Sequence, residues 1–511
     1  MISSARLRRA VRRDTIGVDV GAALNLIGAL VRYLSLAFLF PAAIALGYGE
    51  SPWPFLAAAA ITAASGFALE RVTRGKEQVG TREGFLVVAL TWAFAAGFGC
   101  LPYLFSGEAQ LGNPANAFFE SMSGFTTTGS SVLTDSEALP QGLLMWRQFT
   151  QWLGGMGIIV LALAVLPRLR VGGRQLFESE VPGPEVERLA TSIRETARRL
   201  WVVYIALTGV LAALLYGYAV AGVDERMSLY DAVAHAFTTM PTGGFSPQRE
   251  SLAAFGAATQ WTVIVFMVVA GTNFALLYAV LVRQRARSLL RDEEFRVYLA
   301  LVAVASFVIV AELITEGILE GEAAVRHGLF QAVSMLTTTG YASVDFNEWT
   351  ALAAVGLVGL MFIGGSAGST AGSIKVVRHL LIGKSLRREL DVAVHPEVIS
   401  PLRFSGRPVD EKTLRAVIAF VLLYVGLFAA GALVLTIDAA IGDQVVTPFE
   451  AIAAAATTLG NVGPGFGFAG PFGSFEPFSD FSKAVMIVLM WLGRLEIVPV
   501  LVLFTRRYWR A

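Results

Sequence analysis

Four stretches of this chain set threonine beside glycine at the end of a short, mildly apolar run. They read FFESMSGFTTTGSS (within residues 116–131), LYDAVAHAFTTMPTGGFS (229–246), LFQAVSMLTTTGYAS (328–343) and PFEAIAAAATTLGNVGPG (448–465). An aromatic residue stands at or near the start of each, small residues fill the middle, and a Thr pair precedes a glycine. The chemistry such turns can do is cation coordination. Glycine reaches backbone angles closed to other residues and adds no side chain to a lumen, so converging turns can present rings of carbonyl oxygens that replace a cation's hydration shell. Threonine can add hydroxyl oxygen, and a short helix pointing its partially negative C-terminal end at the same place favours a cation over an anion. One TTTGSS is a polar turn; four at matching positions argue for a shared site.

These runs are about 10 to 14 residues long, too short to cross a bilayer and suited to helices that enter and turn back. Other elements must therefore surround them. The chain has 511 residues, 55% apolar and 15% charged, against about 25% charged in a soluble protein, and its mean hydropathy is +0.62. That excludes a disordered chain and an ordinary soluble enzyme. Apolar windows able to span lie at about 20–47, 53–70, 83–106, 142–166, 199–222, 260–283, 296–317, 350–383, 413–437 and 482–505. Ten spans put both termini on one side. Of the 40 Lys and Arg, 33 fall in the N-terminal arm, 71–82, 168–199, 283–296, 375–415 and the C-terminus, so these parts are expected in the cytoplasm. The basic start, MISSARLRRAVRRD, precedes a long apolar stretch without a clear cleavage site and is expected to be retained. The net charge of +1 gives no argument for nucleic acid, and the single Cys100 cannot form an internal disulfide.

The unit span, re-entrant segment, span recurs every ~100 residues. The expected fold is an all-α polytopic membrane protein: four tandem helix–pore loop–helix repeats around one central pore, plus an N-terminal helix pair. The expected divisions are 1–75 for the arm and helix pair, then 76–170, 171–292, 293–390 and 391–511 for the four repeats. The 350–383 window is too long for one straight crossing, and seven of the thirteen residues in IGGSAGSTAGSIK (363–375) are Gly or Ser. A break there exposes backbone and can obstruct a pore, with Gly364, Gly365, Gly368, Gly372 and Lys375 as its hinge and plug. Arg494, central in the last span, must face protein or water, and Glu496, two residues on, points elsewhere. In WRQFTQWLGGMGI, Gln148, Gly154, Gly155 and Gly157 are expected to soften the helix; Gly271 and Asn273 are read as packing or pore-lining. His235 is expected to play a hydrogen-bonding structural part.

The four turns, the broken span and WLGRLE together resemble the Trk/Ktr/HKT superfamily of potassium transporters, most of all its TrkH branch, over about residues 15–508. By resemblance, carbonyls beside the turn glycines bind dehydrated potassium. That implies Thr127, Thr128, Gly129 and Ser130 in the first turn and Thr338, Thr339, Gly340 and Tyr341 in the third. In the second, Met240, Pro241 and Thr242 lengthen the approach, so Gly243 or Gly244 can hold the place, with Gly244 favoured. In the fourth, Leu459, Gly460 and Asn461 are implicated, and Gly460, Asn461 or Gly463 can align. Glycine at 129, rather than serine, resembles the potassium-selective form. The resemblance further implies that the 363–375 segment gates conduction below the filter and that Arg494 faces the cavity beneath it, helping the ion leave or meeting the gating loop. It also implies a homodimer in the cytoplasmic (inner) membrane, resting on a cytosolic nucleotide-binding regulatory subunit of TrkA type. No covalent cofactor and no nucleic acid partner are expected; potassium is the substrate and the lipid bilayer the surroundings.

An enzyme is not expected: His235, His327, His379 and His395 lie far apart, and no nucleotide-binding lysine motif or paired carboxylates appear. The rival reading is a proton- or sodium-coupled carrier with alternating access, which also uses broken helices but typically has two inverted halves.

Overall fold

The computed structural model describes residues 18–74, 80–157, 193–397, 401–442 and 446–510. The basic arm at 1–14, the end of the 142–166 window and most of the 168–199 connection lie outside the described residues. Helix dominates, as the long apolar windows require. Among the described residues, β structure is confined to a ladder pairing Arg403–Phe404 with Arg407–Pro408 and one bridge between Ile363 and Ile374.

Among the described residues, six stretches are long and apolar enough to cross a membrane: Val20–Gly47, Trp53–Val72, Arg82–Phe105, Ala197–Val220, Glu293–Thr315 and Glu411–Ile441. Their outward faces carry residues such as Phe307, Leu422 and Leu433, exposed by 74%, 68% and 60%. Side chains of that kind face lipid rather than water. The chain is an all-α polytopic membrane protein.

Two expected straight crossings are bent instead. Ala257–Ala270 meets Phe274–Leu281 at 107°, and Asp480–Arg494 meets Val498–Phe504 at 112°. At the first bend the Asn273 side chain accepts from Ala275 N at 2.8 Å and starts a new helix. At the second, Glu496 and Ile497 take φ of 55° and 62°, angles no helix continues through. The 350–383 window is broken as expected, into Ala351–Leu360, a non-helical stretch, and Val376–Val394. Gln141–Gly155, by contrast, runs as one helix. It ends at its glycines, with a turn at Met156, and Gly154 there also gives close approach: a Cβ on it would lie 2.0 Å from Phe125 O. The N-terminal pair crosses in the same manner, with Gly66 against the Gly28 carbonyl and Arg32 paired to Glu70 at 3.2 Å.

Four short helices lie inside this shell: Pro114–Phe125, Leu229–Thr239, Gly321–Leu336 and Pro448–Gly460. Local chemistry starts each. Asn113 caps the first, the Ser228/Asp231 and Thr447/Glu450 capping boxes start the second and fourth, and proline opens the first and fourth. The third begins several residues before the expected start at 328, because Glu322 and Arg326, one turn apart at 2.8 Å, support additional helix.

The first short helix is tied to its turn by a buried ion pair. Arg147 Nε lies 2.7 Å from Glu120 Oε1, with side-chain exposures of 3% and 0%. Glu120 also accepts from Val132 N at 3.0 Å, and Arg147 stacks on Phe245 at 4.1 Å. Removing one partner strands a buried charge, which costs about 3–5 kcal/mol. Glu120→Ala is therefore predicted to lower the thermal midpoint in detergent sharply, while Glu120→Ala combined with Arg147→Met recovers part of the loss.

Candidate functional site

All four short helices end alike. Thr127, Thr242, Thr338 and Asn461 have φ of 53°, 55°, 57° and 53°. The next amide in each turn donates to the carbonyl five residues back, Thr128 to Ser123, Gly243 to Thr238, Thr339 to Ser334 and Val462 to Thr457, every bond 2.9 Å long. This is the left-handed cap that satisfies a helix C-terminus. Three of the four caps are β-branched threonines, which are strained there by about 1–3 kcal/mol and persist only where the surroundings hold them.

Two residues beyond each cap stands a glycine in the same half of backbone space: Gly129, Gly244, Gly340 and Gly463, with φ of 85°, 75°, 79° and 125°. This register settles the two open alignments on Gly244 and Gly463. It also corrects the fourth turn. Leu459 and Gly460 belong to the helix Pro448–Gly460; the alanine-rich run carries the helix through Gly460, and Asn461, which tolerates left-handed backbone, ends it in the place of Thr127.

The turns meet in cyclic order. A Cβ on Gly129 would lie 2.2 Å from Gly243 O, on Gly244 2.0 Å from Thr339 O, on Gly340 1.9 Å from Val462 O, and on Gly463 3.1 Å from Thr128 O. First touches second, second third, third fourth, and fourth first again. All four glycines line one cavity. Side chains lock the joints. Ser130 Oγ donates to Gly463 O at 2.6 Å, and Asn461 Nδ2 to Thr128 Oγ1 at 2.9 Å. Tyr341, fully buried, braces the third turn against the second helix, its hydroxyl 2.5 Å from Thr238 Oγ1 and donating to His235 O at 3.2 Å. His235 itself bonds Ser246 Oγ at 3.0 Å.

Among the described residues, no donor reaches the carbonyl oxygens of Thr127, Thr128, Gly129, Thr242, Gly244, Thr338, Thr339, Gly340, Asn461 or Val462. Carbonyls inside a protein are ordinarily paired; these ten have no protein donor and lie together at the ring. Three others are occupied: Gly243 O by Gln151 Nε2 at 2.6 Å, Gly463 O by Ser130, and Tyr341 O by Ser334 Oγ at 2.7 Å. The threonine hydroxyls of Thr128 and Thr339 are bonded at 2.7 Å to Thr126 and Thr337. Tyr341 thus contributes its phenol rather than its carbonyl, and the threonines their main chain.

Beneath the ring lies the non-helical stretch after Leu360. Gly372 N donates to Thr338 Oγ1 at 2.7 Å, and a Cβ on Gly372 would lie 2.4 Å from Gly460 O. Thr370 Oγ1 donates to Met240 O at 2.9 Å, and Ser366 N to Gly271 O at 2.8 Å. Gly364 and Gly365 brace its base, Gly364 N bonding Ile374 O at 2.9 Å and Gly365 O accepting from Val376 N at 3.2 Å; Gly368, with φ of 75°, turns the crest. Lys375 Nζ bonds Ala371 O within the same stretch. Arg494 donates to Thr370 O at 2.9 Å and Gly154 O at 3.0 Å, so it ties this stretch to the first repeat, while Glu496 pairs with Arg378. Sequence reasoning missed Glu120, Arg147, Gln151 and Glu294. Glu294 looked like any acid in a first helical turn, yet its carboxylate reaches Ala367 N and Val377 N.

A family model described as TrkH, cation transport protein, matches residues 54–510. The Trk system potassium uptake protein TrkH of Salmonella typhimurium is 39% identical over 444 residues, covering 86% of this chain and 88% of the relative. Its namesake in Escherichia coli K12 is 37% identical over 495 residues, covering 95% and 98%. The crystal structure of the potassium transporter TrkH from Vibrio parahaemolyticus matches with a TM-score of 0.84 at 32% identity, covering 96% of this chain and 100% of that one. The matched family transports ions and is not an enzyme family. Four caps in one register, a closed ring of glycines and these matches lead to one conclusion: the chain belongs to the TrkH family of cation transport proteins.

Proposed function

We propose that this chain is the membrane subunit of a potassium uptake system, conducting potassium across the cytoplasmic membrane through a carbonyl-lined filter formed by the four turns. The observation that carries this reading is the set of ten carbonyls without a protein donor at a closed ring of backbone. An alkali cation crossing there exchanges water oxygens for peptide oxygens. The four helix C-termini add partial negative charge. Potassium is the substrate, and nothing covalent is required.

The stretch from Met361 to Lys375 is the gate in this reading, since it lies against the second, third and fourth turns from below. Arg494 is its latch: a guanidinium bonded to Thr370 O on one side and Gly154 O on the other holds the stretch across the path and repels cations beneath the filter. The positive-inside charge pattern supports cytoplasmic termini, and the repeat spacing supports the division at 75, 170, 292 and 390. Relatives called Trk system proteins are by name components of a system, which supports a cytosolic regulatory subunit of TrkA type; a homodimer is part of the same reading.

Purified protein in liposomes is predicted to pass potassium and rubidium far better than sodium or lithium; equal passage of all four defeats the filter. Flux that saturates at a low rate and tracks a proton or sodium gradient stoichiometrically indicates the alternating-access carrier instead. Gly340→Ala, which drives a methyl group into Val462 O, is predicted to abolish the preference for potassium over sodium in the same assay, and a variant that keeps the preference contradicts the ring. Arg494→Ala is predicted to raise rubidium flux; unchanged flux in a folded variant makes Arg494 a packing residue.

A further inference from the structure

Three consecutive acids open the helix Glu293–Thr315, and each does something different. Asp292 caps its own helix, accepting from Phe295 N at 2.8 Å. Glu293 turns toward the cytoplasmic side, pairing with Lys384 and accepting from Ser405 N at 2.9 Å. Glu294 turns inward and is only 4% exposed. Its Oε1 accepts from Ala367 N at 2.6 Å and from Val377 N at 3.1 Å.

Those two amides stand at either end of the segment that carries Thr370 and Gly372, the residues touching the second, third and fourth turns. A single carboxylate oxygen therefore pins both shoulders of the loop. Two charge-assisted bonds to backbone amides fix a glycine- and serine-rich chain far better than its own sequence can. Arg494 grips the crest of that loop; Glu294 grips its base from a different helix.

We propose that Glu294 is the positioning residue that holds the gate loop in its obstructing shape, and that removing its carboxylate raises cation flux while leaving discrimination among cations intact. The inference rests on reading Met361 to Lys375 as the gate. Glu293 in the same turn ties down the hairpin around Ser405, so the hairpin and the loop base are anchored to one helix turn.

The test uses the full chain with Cys100→Ala and Ser369→Cys, so that the only thiol lies in the loop. Glu294→Ala and the near-isosteric Glu294→Gln are compared with Glu294 in proteoliposomes. Two quantities are read: the rate at which a membrane-impermeant reagent modifies the introduced thiol, and the rubidium and sodium fluxes. Glu294→Ala removes both bonds and is expected to speed both modification and rubidium flux by at least about tenfold, the lower bound for losing one charge-assisted bond, with the rubidium-to-sodium ratio unchanged; Glu294→Gln shifts both in the same direction by less. Unchanged modification in either folded variant overturns the proposal. So does faster modification without faster flux, or a flux increase accompanied by loss of discrimination, which places the damage in the ring. Thiol modification needs no transport, so non-selective flux in the unsubstituted protein sinks the filter reading while the loop measurement still stands on its own.

Discussion

Neighbouring turns in this protein approach so closely that a carbonyl oxygen occupies the space where a β-carbon would sit. At three of the four joints the distance from that position to the neighbour's oxygen is 1.9 to 2.2 Å, far inside van der Waals contact. Glycine is thus required twice over, once for the positive φ and once for room. The same packing explains why strained threonines survive at the caps. Each is locked between a helix end behind it and the next turn beside it, so relaxing one would open the ring. With the main chain used in this way, ten carbonyls are left without protein donors, and on the proposed reading their partner is a dehydrated cation.

The rest of the structure protects that arrangement. Tyr341 braces the third turn, Gln151 the second, Asn461 and Ser130 the joint between the fourth and first, and Glu120 with Arg147 the base of the first. The four joints are alike in backbone and different in side chain. A tyrosine phenol, an asparagine amide and a glutamine amide do the same mechanical work at different corners, which is how a single chain with diverged repeats keeps a nearly four-fold ring. Below it, a second layer is built on the opposite principle. The non-helical stretch after Leu360 is closed at its base by its own Gly364–Ile374 and Gly365–Val376 bonds and is held from elsewhere by Arg494 of the last repeat and Glu294 of the third. A segment held from outside can be released without disturbing the ring above it.

Much of this was legible in the sequence. Hydropathy marked the six straight spans, and the recurrence of Thr and Gly marked the four turns, because membrane depth forbids irregular backbone except around a cavity. The broken helix at 363–375 was legible for the same reason. The fourth turn was not: TTLGNVGPG contains three glycines, and only the helix running on through Gly460 shows that Gly463 stands with Gly129. The bends after Ala270 and Arg494 were also hidden, since their apolar windows run straight through them and the break depends on an Asn cap and on two residues of positive φ. Long-range polar pairs such as Glu120 with Arg147, or Glu294 with the loop amides, leave no local pattern to read. Their partners are 27 and more than 70 residues away.

The central claim is that the ring itself is where a cation sheds its water. The most direct measurement is anomalous scattering from crystals grown in rubidium in place of potassium. The account predicts an ordered rubidium peak on the axis between the Thr127, Thr242, Thr338 and Asn461 carbonyls, which weakens when sodium replaces rubidium. A ring empty under saturating rubidium, with the ion found only elsewhere in the molecule, contradicts it.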